Sequence, residues 1–264
     1  ENVFQFNKRT EYNKFRINNL HNYVFFPKRR DQLHCDHRPL FKYYYENGCL
    51  PQMSVDKASL KWAQNIIQNF VGEKKLIVVQ IRNSMGIKNP EDFPNRIKGK
   101  KGAATRDSNL PEWQKFFEKL DKNKFKVICV CTKYEIVTTW QEKELVLFSK
   151  DLGADLMKDL ALVQCSYLSL FPTSGLHEFS FYSRTPCCIF NPPLKYWRKK
   201  SDPIYQINGG ENDYKQNCYQ SDFQKFIWEE KDDYNTINYN FNLLVEKLEI
   251  NKYDEKYNKK IINL

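Results

Sequence analysis

Three groups of side chains in this chain have the types and spacing to handle an anion. Thr173 and Ser174 place two hydroxyls directly before Gly175, and His177 and Glu178 follow within one turn of a helix-like segment. Arg82, with Asn83 and Ser84, ends a strongly apolar run that starts at Lys75, and Arg106 and Asp107 close the polar stretch that comes next. Hydroxyls, a glycine that lets a ligand approach the backbone, and the free N–H groups of a new helix together suit a phosphate or diphosphate. A guanidinium leaving a buried strand offers the bidentate donor that phosphate binding needs. Each group also has a plainer reading. Arg82 fits a surface ion pair, and Arg106 fits a solvated loop charge. Pro172-Thr173-Ser174-Gly175 fits an ordinary helix cap, and Glu178 fits a complement to the helix dipole as well as an acceptor for a ribose or sugar hydroxyl.

The elements around these residues alternate. Lys75 to Arg82 reads as a buried strand from its continuous β-branched run. A long loop with Gly86, Pro90, Pro94, Gly99 and Gly102 follows. Asn109 to Leu120 carries helix signals, with Ser108 or Asn109 as cap and Pro111 in the first turn. Phe125 to Thr132 then reads as a strand, Tyr134 to Gln141 as a helix, Glu144 to Phe148 as a short strand, and Asp155 to Gln164 as a helix. Tyr167 to Phe171 is a strand running into the Thr-Ser-Gly turn and its helix, and Cys187 to Phe190 is the last strand before Pro192-Pro193. This order predicts an α/β, Rossmann-like parallel sheet with helices on both faces. In such sheets ligands bind beyond the carboxyl ends of the strands, where all three groups would meet.

Upstream, Ser54 to Phe70 reads as a helix capped by Ser54 or Asp56, while residues 1–53 are aromatic, basic and without pattern. They read as an arm or part of an acceptor-side domain, residues 54–193 as the sheet domain, and residues 194–264 as an irregular segment followed by one or two helices over Phe223 to Ile250.

A chain of 264 residues with 41% apolar and 15% aromatic content can bury a core. Its net charge of +10 attracts anions such as nucleotides, nucleic acid or acidic glycans without choosing among them. The eight cysteines include Cys129 and Cys131 on one face of a strand and the adjacent Cys187 and Cys188 on opposite faces, so neither pair suits a disulfide. With no CxxC modules and no Asn-x-Ser/Thr sequon, a reducing, cytoplasmic setting is expected. No apolar run reaches membrane-spanning length, and peripheral membrane association stays compatible with the basic surface. His34-Cys35-Asp36-His37 has metal-ligand residue types but no companion cluster, and no metal is expected. GxxxxGK[ST], GxGxxG after a strand, and Gly-x-Ser-x-Gly are all absent, against a P-loop NTPase, a dinucleotide oxidoreductase and an α/β-hydrolase.

Taken in order, several segments resemble the nucleotide-sugar-binding C-terminal domain of GT-B glycosyltransferases. They are Val78-Val-Gln-Ile-Arg82-Asn-Ser, Arg106-Asp-Ser-Asn before an aromatic helix, Phe125-Lys-Val-Ile-Cys-Val-Cys-Thr, Leu170-Phe-Pro-Thr173-Ser-Gly-Leu-His-Glu-Phe-Ser, and Pro186-Cys-Cys-Ile-Phe-Asn-Pro-Pro. The similarity spans roughly residues 75–193. It touches both the bacterial surface-polysaccharide enzymes and the fucosyltransferase-like group, although Gln80 stands where the latter's His-x-Arg pattern has its histidine. The resemblance implies that Arg82 stabilises a leaving diphosphate and that Thr173, Ser174 and Gly175 contact donor phosphates. The expected activity is transfer of a sugar from a nucleotide-diphosphate sugar to a glycan or other hydroxyl, inverting and without a metal, with Arg106 and His177 near the phosphates and Asp107 or Glu178 as base. The rival readings are a non-catalytic nucleotide- or glycan-binding module and a basic nucleic-acid-binding domain.

Overall fold

Leu76, Ile77, Val78 and Val79 are all buried, as a run of consecutive apolar residues must be when a strand is covered on both faces. In the computed structural model this run is β1 (Lys75–Gln80), the centre of a six-stranded sheet with order β3-β2-β1-β4-β5-β6. The other strands are β2 (Phe125–Val130), β3 (Leu147–Phe148), β4 (Leu168–Pro172), β5 (Cys187–Phe190) and β6 (Gln224–Phe226). Every neighbouring pair is parallel. The described residues are 53–83, 107–133, 135–191, 223–227 and 231–250. The chain divides into two compact units, Glu1–Pro51 with Arg198–Tyr219 and Gln52–Trp197 with Gln220–Leu264. All described residues belong to the second; the N-terminal arm, the His34–His37 run, the long loop and Arg106 lie outside the described residues.

Parallel strands need crossovers, and among the described residues four helices lie in them: α2 (Leu110–Lys119), α3 (Thr138–Glu142), α4 (Leu156–Cys165) and α5 (Gly175–Ser183); α1 (Lys57–Ile66) precedes β1 and α6 (Tyr234–Ile250) follows β6. Strand alternation sends Ile77, Val79 and Ile81 into one core layer with Trp113, Phe116 and Phe117 of α2, Trp140 of α3, and Ile237, Phe241 and Leu244 of α6. Edge-to-face aromatic pairs join that layer, with ring centroids 5.5 Å apart for Trp113–Phe190, 5.3 Å for Phe116–Phe241 and 5.1 Å for Phe117–Trp140. Each such pair adds about 0.5–1.5 kcal/mol beyond the area it buries. Leu76 and Val78 point to the opposite face, where α1 and α4 pack together and contribute buried Ala63, Ala161, Leu162 and Val163, with α5 beside α4.

Local chemistry explains the helix limits. Asp56 caps α1 by accepting from the Ser59 amide at 2.9 Å, and Asp155 caps α4 by accepting from Lys158 at 2.9 Å. The last turn of α1 widens into a π-helical turn, Ile67–Val71, that ends at Gly72 with φ 65°, a conformation glycine adopts without steric cost.

Two sequence expectations need correction. The helix expected over Tyr134–Gln141 begins only at Thr138, because the Glu135 carboxylate bonds back to the Thr132 amide and hydroxyl and holds a turn there. The stretch expected to be helical from Phe223 starts instead with β6, an edge strand of three residues that pairs with β5 from Cys187↔Gln224 to Ile189↔Phe226. Only α6 after it is helical among the described residues.

Candidate functional site

The strand order reverses between β1 and β4. β1 leads to β2 on one side, whereas β4, reached after β3, lies on the other side of β1. Such a switch point leaves a crevice outside the carboxyl ends of the two strands. Register pairs Val79 with Leu170, and carrying it forward three residues sets Arg82 level with Thr173. The two strongest sequence candidates therefore flank the switch point on one sheet edge.

A closed circuit of polar contacts holds them there. The Ser174 hydroxyl donates to Gln80 Oε1 across the gap between β4 and β1. The Thr173 hydroxyl donates to the Asn191 carbonyl at 3.1 Å and the Phe190 carbonyl at 3.3 Å, tying β4 to the end of β5. Asn191 Nδ2 donates to the Asp107 carbonyl at 3.4 Å. Asp107 Oδ1 lies 3.7 Å from Arg82 Nε, which returns the circuit to β1. These two side chains are only 11% and 19% exposed, so the pair is sheltered, not the surface ion pair of the plainer reading. Asn191 adopts φ 53°, a left-handed conformation that asparagine tolerates better than most residues.

At the start of α5, Ser174 and His177 form a reciprocal capping box. His177 Nδ1 accepts from the Ser174 amide at 2.8 Å. An accepting Nδ1 must hold a lone pair, so the neutral ring carries its proton on Nε2. That atom is 3.3 Å from Glu178 Oε1. His177 is buried and packs edge-to-face on Phe226 at 5.7 Å, while the Glu178 side chain is 40% exposed and open to solvent. The box uses the Ser174 and His177 amides. A Cβ built on Gly175 would meet nothing within 4 Å, and its backbone is not in the left-handed region, so neither packing nor conformation demands glycine. The space in front of the helix start is open at that residue.

Thus Arg82, Asp107, Thr173, Ser174 and Gly175 come together on one edge, and His177 and Glu178 sit in the first turn beyond them. The buried thiols take no part. Burial pushes Cys188 up to about 12 and Cys165 to about 11, and raises Cys129 and Cys187 well above the ordinary thiol range, which keeps them protonated. Among the described residues no group of three or more His, Cys, Asp or Glu side chains is placed to share a metal ion, and no helix is long and apolar enough to cross a membrane.

No family model and no curated protein matches this chain. Among solved structures, it is similar to the ADP-heptose LPS heptosyltransferase II of E. coli at 11% identity and a TM-score of 0.48, covering 76% of this chain. The chain spans 55% of the length of that enzyme. The fold is therefore assigned from its own strand order, and the site from its own residues.

Several residues that build the edge carry little signal in the sequence. Gln80 is a lone polar residue closing an apolar run, and Asn191 precedes two prolines, so both were detectable as strand ends. Ser108 reads from the sequence as a helix cap, yet its hydroxyl accepts from the Arg82 amide at 3.1 Å and its amide donates to the Arg82 carbonyl at 2.8 Å. Glu135 is 2% exposed and accepts from the Asn83 amide at 3.3 Å, which locks the residue after Arg82 to the β2–α3 turn. No local pattern marks it.

Proposed function

We propose that this chain is, or contains, the donor-binding domain of a glycosyltransferase that uses a nucleotide-diphosphate sugar, with a glycan or other hydroxyl compound as acceptor. The observation that carries the reading is the convergence of Arg82 and the Ser174-Gly175 helix start at the switch point of a 3-2-1-4-5-6 parallel sheet. A fixed guanidinium and helix amides at one crevice suit the charge of a diphosphate and need no reorganisation as it departs.

In this reading the acceptor oxygen attacks the anomeric carbon as the bond from that carbon to the diphosphate oxygen breaks. The electron pair leaves with the diphosphate, toward Arg82 and the amides of Gly175 and Leu176. The hydroxyl proton passes to a carboxylate. Glu178 fits that task better than Asp107, because its side chain is half exposed while Asp107 is held against Arg82. Attack from the face opposite the leaving group inverts the anomeric centre. Fixed cationic charge at the diphosphate takes the place a metal would otherwise fill.

The test is a thermal-shift and turnover panel of UDP, GDP, ADP and CMP with their sugars, on wild type and Arg82→Ala. A ligand at 100 times its dissociation constant stabilises the native state by about 2.7 kcal/mol. One nucleotide class should raise the melting temperature of wild type and not of the variant. An equal response from both proteins would remove Arg82 from the site, and salt-sensitive oligonucleotide binding with no nucleotide response would remove the donor reading.

A further inference from the structure

Arg82 lies two residues past the end of β1, where no ladder holds the backbone, and it is held by contacts from residues 107–109 alongside the bond from the Asn83 amide to Glu135. Ser108 bonds to both its amide and its carbonyl, and Asp107 faces its guanidinium. The third residue of the stretch, Asn109, is anchored from the far end of the chain. Its amide donates to Asp232 Oδ2 at 2.8 Å, and the same oxygen accepts from the Trp113 indole at 2.8 Å. Asp232 is 5% exposed. A buried carboxylate oxygen with two short donors is a strong anchor, since charge-assisted bonds are shorter and stronger than neutral ones. The attachment is mutual: Glu112 Oε2 of α2 accepts from the Tyr234 amide at 2.8 Å, at the start of α6. The helices α2 and α6 thus exchange carboxylates at their N-termini, and the Asp232 half of the exchange holds Asn109, in the stretch next to Arg82.

We infer that Asp232 is a positioning residue for Arg82, acting through residues 107–109, so that docking of α6 sets the geometry of the diphosphate crevice. The consequence rests on the donor reading above, but the placement of Arg82 does not. Trp113→Phe separates the two bonds: it removes the indole donor and leaves Asn109–Asp232 intact. Asp232→Asn keeps an oxygen that accepts from both donors, whereas Asp232→Ala loses both.

The first measurement needs no ligand. Amide hydrogen exchange of the full chain should speed up about tenfold or more at Arg82 and Ser108 in Asp232→Ala, with β2 and β4 amides unchanged, and should speed up by less in Asp232→Asn and Trp113→Phe, which each keep a bond to Asn109. Unchanged exchange at Arg82 and Ser108 in Asp232→Ala would overturn the inference, whatever the chain binds. The second is calorimetric titration with UDP, GDP and ADP. Asp232→Ala should weaken the nucleotide that binds by about tenfold in the wild-type background and have no further effect in Arg82→Ala, since residues acting through one another are not additive. Equal weakening in both backgrounds would mean that Asp232 does not act through Arg82. If none of the three nucleotides binds wild type, the donor reading fails, and the exchange data still decide the role of Asp232.

Discussion

Replacing Gly175 with alanine should make the fold more stable and the crevice less able to bind. A Cβ at this position meets nothing within 4 Å, and the backbone is in a region open to any residue, so the methyl costs no steric energy. Removing glycine's extra freedom from the unfolded chain then stabilises by about 0.4–1 kcal/mol. For a unit of this size that is a rise of roughly 1–4 °C in melting temperature. If a phosphate oxygen approaches the Gly175 amide, the same methyl stands in its path. Loss of one hydrogen bond to a charged group costs about 1.5–3 kcal/mol, or roughly ten- to a hundredfold in affinity. Thermal melts report the first effect, and nucleotide titrations of wild type and variant report the second. A lower melting temperature would show that the space is filled, contrary to the geometry. A higher one with unchanged nucleotide affinity would show that no ligand uses this helix start.

Other expectations rest on single contacts. Ser174→Ala removes the capping oxygen and the link to Gln80, so stability should fall by about 1–2 kcal/mol in denaturant melts, with the slope unchanged. Phe241→Ala empties a site packed against both Phe116 and Phe125 at 5.3 Å and should cost about 3–5 kcal/mol, read as a lower urea midpoint. The hydrogen bonds from Ser59 hold Asp56 below its ordinary carboxylate range, so its stabilising contribution is present above the unfolded-state value and lost as pH falls through the folded one. Asp56→Asn should flatten that part of the acid limb in a stability-versus-pH series. Thiol-reactive probes at pH 8 should leave Cys129, Cys187 and Cys188 unmodified in the native chain and label them once it is unfolded; labelling of the native chain would contradict their burial.

The features legible in the sequence were those whose cause lies within a few residues. A four-residue apolar run specifies β1 because a doubly covered strand needs nothing but apolar side chains. Helix starts were legible at Asp155 and at Pro172-Thr173-Ser174-Gly175 because capping bonds span three residues, whereas the His177 half of the box, with a ring where Glu or Gln is usual, was not. Alternation of such elements specifies a parallel sheet, since parallel neighbours require crossovers. Strand β6 was not legible, because Gln224-Lys225-Phe226 is too short for a pattern and becomes a strand only through the exposed edge of β5.

The site divides in the same way. Residue types marked Arg82 and Thr173-Ser174-Gly175 as anion-handling groups, but their meeting depends on β4 lying beside β1 after two intervening strands. The residues that hold them there are farther apart still: Asn83 from Glu135 by 52 positions, Asn191 from Asp107 by 84, and Asn109 from Asp232 by 123. A carboxylate such as Asp232 or Glu135 looks like any surface acid in a linear chain. Only when packing removes it from water must its charge find donors, and the donors it finds are those the tertiary fold has brought within reach.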